Sequence, residues 1–140
     1  MKINSTQYDQ RLLDVGLLLF RVFLGFALIT HGLPKLMKLF SGEEIEFMSF
    51  LGLNPTVSLS LAVFAEFFCS IFLILGLFTR AILIPMIIVV AVAAFGVHLA
   101  DGYKEMEHPL LFMAGFILLL ITGPGKYSVD GMTYKRDDGW

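Results

Sequence analysis

Val15 to Pro34, VGLLLFRVFLGFALITHGLP, is the stretch that decides the fold. About 20 apolar residues in a helix rise roughly 30 Å, the hydrocarbon thickness of a bilayer, so the run has the length of a membrane span. Two polar residues interrupt it, Arg21 in its inner third and His31 near its far end. A charge in mid-membrane costs on the order of 2.5–3.5 kcal/mol by insertion scales, so Arg21 calls for a partner within the fold. The candidate is Glu66, the acid that lies inside another apolar run.

Composition agrees with that reading. The 140 residues are 57% apolar and 16% charged, with a formal net charge of −2, which places the chain in the membrane class as one domain. Nothing in it resembles a basic nucleic-acid surface, so no nucleic-acid partner is expected. The single cysteine, Cys69, excludes an intrachain disulfide and a dithiol that cycles by itself. With no haem, flavin or Cys-metal motif either, a redox role needs electron carriers on another chain. The first run exceeds the about 7–15 apolar residues of a signal peptide and is followed by no small-x-small cleavage site, so it reads as a retained first helix.

Working outward, hydropathy and turn signals predict spans over about residues 12–34, 56–78, 81–99 and 105–122. Gly32 and Pro34 end the first, and Asn54-Pro55-Thr56 starts the second. A very short turn after Gly76 makes the second and third helices antiparallel neighbours. The last apolar run, Leu110 to Thr122, has 13 residues and spans only if its helix begins near Tyr103 or Glu105; a re-entrant segment is the competing reading. Between Lys35 and Pro55, Ile45, Met48 and Leu51 recur at helical spacing, which suggests a short interfacial helix, against the readings of a plain connector or a lid. Lys2, Arg11, Arg80, Lys126, Lys135 and Arg136 fall on one side of this topology and Lys35, Lys38 and Lys104 on the other. The asymmetry puts both termini in the cytoplasm. The fold expected is therefore all-α, an antiparallel four-helix bundle integral to the membrane.

A helical rise of about 1.5 Å per residue gives each polar residue a depth. Glu66 falls near the midplane, Arg21 roughly 9 Å from the cytoplasmic edge, and His31 and His98 near the outer edge with Lys35, Asp101, Glu107 and His108. The axial offset between Arg21 and Glu66 is then roughly 9 Å, within reach of an arginine if the first two helices touch. As a structural feature this is a buried pair, or Arg21 snorkels to lipid phosphate. As a functional one Glu66 is a proton-active carboxylate. His31 and His98 suit the head of a small redox molecule, or a metal with Glu107 or His108, although no His-x-x-x-His or Cys-x-x-Cys spacing supports a metal. Ala62, Glu66, Cys69 and Ser70 share a stripe that should face the bundle interior. The phenylalanines wall a quinone pocket or face lipid.

Several segments carry a resemblance. Arg21 with His31-Gly32-Leu33-Pro34-Lys35-Leu36, then Phe50-Leu51-Gly52-Leu53-Asn54-Pro55, Ala65-Glu66, Leu75-Gly76-Leu77-Phe78-Thr79-Arg80 and Gly123-Pro124-Gly125-Lys126-Tyr127-Ser128-Val129-Asp130 follow one another across nearly the whole chain. In these the chain resembles the DoxX family of small four-helix bacterial membrane proteins. The resemblance implies a place in the bacterial inner membrane. It also implies a membrane subunit of a redox system, since related proteins are associated with thiosulfate:quinone oxidoreductase and with redox-stress complexes alongside soluble enzymes. Quinone is then the cofactor to look for, and the partners are the lipid bilayer, soluble or membrane redox subunits, and further copies of the chain. Positional match carries over Arg21, His31, Lys35 and Glu66; His98, Glu107 and His108 rest on depth alone. This gives Glu66, Arg21 and His31 as the reactive set, and His31, Lys35, His98, Glu107 and His108 around a bound head group. The alternatives are transport of a small solute, proton or metal, or a scaffold or assembly factor. For a scaffold, Glu66→Gln with Arg21→Met should fold and function nearly normally.

Overall fold

The computed structural model describes residues 6–134; Lys2, Lys135 and Arg136 of the charge count lie outside the described residues. Among the described residues four helices are long and apolar enough to cross a membrane: α1 (Gln10–Leu39), α2 (Pro55–Leu75), α3 (Thr79–Val97) and α4 (Tyr103–Thr122). A short α5 (Val129–Thr133) follows, and no strand occurs among the described residues. The helix starts are those the sequence marks. Asp9 caps α1 by accepting from the Arg11 amide at 2.9 Å, and Asn54 caps α2 by accepting from Thr56 at 2.8 Å with Pro55 in the first turn. α4 does begin at Tyr103, which gives it 20 residues, enough for a span.

Two expectations need correction. α1 does not stop at Pro34 but continues to Leu39. The proline forfeits its own N–H bond to the preceding turn, yet the turn beyond it is held from outside. Lys35 is bound to Glu66 of α2, and Lys38 donates to the carbonyl of Glu46. At 30 residues α1 rises about 45 Å, so it overhangs its neighbours. The second correction concerns the α1–α2 connection, which holds a single 3-10 turn, Phe50–Gly52, and no amphipathic helix. Gly42, Leu51 and Gly52 all take positive φ there, which breaks the helical run that the spacing of Ile45, Met48 and Leu51 suggested.

One apolar core joins all four helices. Leu17, Leu24 and Leu28 of α1 meet Cys69 and Leu73 of α2, Leu83, Met86 and Val90 of α3, and Phe116 and Leu119 of α4. Ala62, Glu66, Cys69 and Ser70 are buried as their periodicity predicts, while Phe64, Phe68 and Phe72 of α2 are exposed on the outer surface, where lipid solvates them.

Glycines set how α1 and α2 register. A Cβ on Gly25 would meet the Ser70 carbonyl at 3.0 Å, and one on Gly32 would meet the Glu66 main chain at 2.8–2.9 Å. The two helices therefore run antiparallel, with Gly32 level with Glu66 and Arg21 level with Gly76, just past the end of α2. α3 packs closely on α4, whereas α1 and α4 touch sparsely, chiefly where Gly115 admits Leu24 and Phe20. The start of α1, the α2–α3 turn and the segment after α4 share one end of the bundle, here the termini end. His31, Lys35 and His108 lie toward the other.

Candidate functional site

The register separates Arg21 from Glu66 by about 11 residues of helix, roughly 16 Å along α1, and the pair expected between them does not form. Arg21 sits where α2 has already ended, so its partners come from the segment following α4. Its Nη1 and Nη2 each donate at 2.7 Å, to the carbonyls of Pro124 and Tyr127. The guanidinium is fully enclosed, and Gly76, at φ +68, leaves room for it: a Cβ there would lie 2.7 Å from Nη1.

The same segment is fastened at two further points, by Asp14 and by Asp130, and braced within itself by Ser128. Asp14 accepts from the Lys126 amide at 3.0 Å, and Ser128 donates to the Gly125 carbonyl at 2.6 Å. The two oxygens of Asp130 accept from the amides of Phe78 and Thr79 at 2.9 and 2.8 Å. Asp130 thereby caps the start of α3 from 51 positions away and holds Phe78 at a left-handed φ of +49, costly for a phenylalanine. Burial pushes the Asp130 carboxyl up, but the hydrogen bonds from Thr79 and Phe78 and the nearby charge of Arg21 outweigh it and hold the group below the usual carboxylate range. Gly123-Pro124-Gly125 is thus the start of a clasp. Nothing in the sequence singled out Asp130 as its cap.

Glu66 is claimed instead by Lys35, which sequence matching had placed beside a bound head group. Lys35 Nζ lies 2.6 Å from both carboxylate oxygens. The Glu66 side chain is 7% exposed and that of Lys35 31%, so the pair reaches from the interior to the surface. Two backbone features put it there. The glycine at position 32 lets α1 approach the Glu66 main chain, and Lys35 follows Gly32 by about one turn. Glu66 also stands in a π-helical turn, Phe64–Phe68, whose extra residue widens α2 at this point; such turns recur at functional sites. The Glu66 carbonyl accepts from the Ser70 hydroxyl at 2.8 Å.

Where α1 and α4 part, a groove of about 670 Å³ opens on the outer surface of the bundle. Phe20, Phe23, Ala27, Leu111, Phe112 and Leu118 form its apolar length, and Thr30, His31 and His108 its polar end. His31 meets Phe112 edge to face with ring centroids 6.0 Å apart. The depth argument that brought His108 to the boundary thus set it with His31. It did not do so for His98, whose Nδ1 lies 3.4 Å from Asp101, nor for Glu107; neither residue lines the groove.

Four membrane-length helices with exposed apolar faces, crossed by an ion pair and an enclosed guanidinium, define a multi-pass integral membrane protein in contact with bilayer lipid. The family model described as DoxX matches residues 16–99, from the first turns of α1 to just beyond α3, and the chain belongs to the DoxX family. It is similar to the inner membrane protein YqjF of Escherichia coli, 31% identical over 91% of this chain and 98% of the relative. The inner membrane protein YphA of the same organism is 33% identical over 83% of this chain and 89% of its own length. An uncharacterized protein of Haemophilus influenzae is 27% identical over 86% of this chain and 85% of its own. The bacterial inner membrane is accordingly where this chain resides. No solved structure matches it significantly.

Proposed function

We propose that this chain is a membrane subunit of a quinone-linked redox system, with the quinone head at the His31–His108 end of the groove between α1 and α4. The observation that supports the reading is the groove itself, which is apolar along its length, open on the outer surface of the bundle and lined at one end by two imidazoles. Its volume of about 670 Å³ lies within the range of small-molecule sites, roughly 300–1,000 Å³. A quinone bound there would supply a two-electron, two-proton carrier dissolved in the bilayer. His31 and His108 orient the head by hydrogen bonds to its oxygens and pass the protons that accompany its reduction. Phe112 stiffens His31 by its edge contact. Lys35, one turn beyond His31 on α1, holds Glu66 as a neighbouring proton store. Electrons come from partner subunits, soluble or in the membrane, and Arg21 has no part in the chemistry. The lysine and arginine count still favours both termini in the cytoplasm, the side from which soluble partners would dock.

The test is to purify the protein in mild detergent and extract quinone for mass spectrometry, comparing wild type with His31→Ala and Glu66→Gln. Near-stoichiometric quinone in the wild type that falls in folded His31→Ala supports the reading. No quinone in any sample overturns it. A second reading, transport of a proton or small solute, draws on the ion pair standing at a π turn, a deformable point of α2. It expects flux across liposomes that Glu66→Gln abolishes. Absence of both quinone and flux leaves a scaffold or assembly role.

A further inference from the structure

A second cavity takes no part in the proposed quinone chemistry. It is an open cleft of about 1140 Å³ at the termini end, and three cations line it: Arg11 of α1, Arg80 of α3 and Lys126 of the clasp. The two acids beside them, Asp14 and Asp130, turn oxygens onto backbone amides, Asp14 onto Lys126 and Asp130 onto Phe78 and Thr79. The cations are held differently. All three residues are exposed, and among the described residues none forms an ion pair. Arg80 is aimed by long hydrogen bonds from Nε and Nη2 to the carbonyls of Leu120 and Ile121, 3.2 and 3.4 Å, at the end of α4. Gly123 takes a φ of +79 beside it, and the guanidinium lies within van der Waals distance of the clasp. The two carboxylates keep their charge but spend oxygens on backbone amides, so the three cations outnumber them by one and are the groups left exposed to an incoming anion.

Its position and walls narrow the ligand. The cleft lies where α3 begins and α4 ends, at the termini of two membrane-length helices, which is where a span meets the headgroup layer. Phe78, 65% exposed, lines it together with Tyr127 and Tyr134, and Tyr is a residue type of the headgroup layer. We infer that this cleft is a phosphate site, and that the phosphate it takes is the headgroup phosphodiester of an anionic phospholipid. Arg80, its Nε edge turned to the α4 carbonyls, leaves the Nη1–Nη2 edge for two phosphate oxygens, while Arg11 and Lys126 add further positive charge. Phe78 receives the first carbons of the acyl chains. A soluble phosphate ester carries the same anion without the chains that this wall takes up.

Native mass spectrometry of the full chain in mild detergent tests the assignment, with titrations of phosphatidylglycerol and phosphatidylethanolamine and with glycerol 3-phosphate as a soluble competitor. Phosphatidylglycerol should be retained at one per chain in preference to phosphatidylethanolamine. Arg80→Gln and Lys126→Gln should each weaken it about fivefold, the scale of one basic residue at an anionic surface. The Lys126 side chain holds no backbone group among the described residues, so its variant reads charge alone even if Arg80→Gln loosens the α3–α4 contact. Equal retention of both lipids with unchanged variants overturns the site. Displacement of phosphatidylglycerol by equimolar glycerol 3-phosphate overturns the lipid assignment in favour of a soluble phosphate compound.

Discussion

Each end of the bundle turns a cation of α1 into the fold, and the two ends satisfy it in opposite ways. At the termini end, Arg21 donates to two main-chain carbonyls of the clasp and is enclosed. Toward the far end, Lys35 donates to a carboxylate and stays partly open to its surroundings. A charge held by carbonyls has one state, because a carbonyl takes no proton at ordinary pH. A charge held by another ionisable side chain has several, since either partner can change protonation or let go. The contrast marks Arg21 as a structural anchor, and it makes the Lys35–Glu66 pair, with His31 and His108 toward the same end, the place where the proposed function is to be tested.

The sharpest way to break that contrast is Arg21→Met. Hydrogen bonds from a charged group contribute about 1.5–3 kcal/mol each, and the change strands two carbonyls, so a loss of roughly 3–6 kcal/mol is expected. The thermal midpoint in detergent should fall steeply, and adding Glu66→Gln should not restore it. A double variant as stable as Glu66→Gln alone would mean that Arg21 locks nothing. Gly32→Ala comes next. Its Cβ would press on the Glu66 main chain at 2.8–2.9 Å, which cannot swing aside as a side chain would, so α1 must retreat from α2 at a cost of about 1–3 kcal/mol. The same variant should lengthen the Lys35–Glu66 contact, visible as a shifted carboxylate band in the infrared difference between wild type and variant.

A smaller effect follows from pH. Asp130 has its folded-state pKa depressed, so its contribution to stability is present above the ordinary carboxylate value of about 3.9 and is lost as pH falls through the lower folded value. Melting midpoints of wild type and Asp130→Asn should differ at neutral pH and converge as the pH drops below about 4. Parallel curves throughout would show that the carboxylate does not fasten the clasp.

The spans were legible because hydropathy and length depend on one helix at a time. Even the doubtful α4 could be placed, since only a start near Tyr103 makes it long enough. The partners were not legible, because they depend on how far one helix slides along another. Taking the first helix to stop at Pro34 set the register too loosely and left Arg21 only about 9 Å from the level of Glu66. In fact Gly25 and Gly32 dock α1 on α2 about one and a half turns away from that alignment. Gly32 and Lys35 did stand in the motif around His31, and a close-approach glycine one turn before a lysine was the available signal. The cap from Asp130 joins positions 51 apart through a turn and a clasp, beyond the reach of any periodicity.

The most direct measurement is a binding isotherm of a short-chain quinone on the detergent-solubilised protein, for wild type, for His31→Ala with His108→Ala, and for Lys126→Gln as a control at the opposite end. With both histidines gone and the fold intact, affinity should fall at least about tenfold, the scale of one to two lost hydrogen bonds, while Lys126→Gln should bind as wild type does. Equal isotherms for all three proteins, or a loss confined to Lys126→Gln, would contradict the assignment of function to the His31–His108 end.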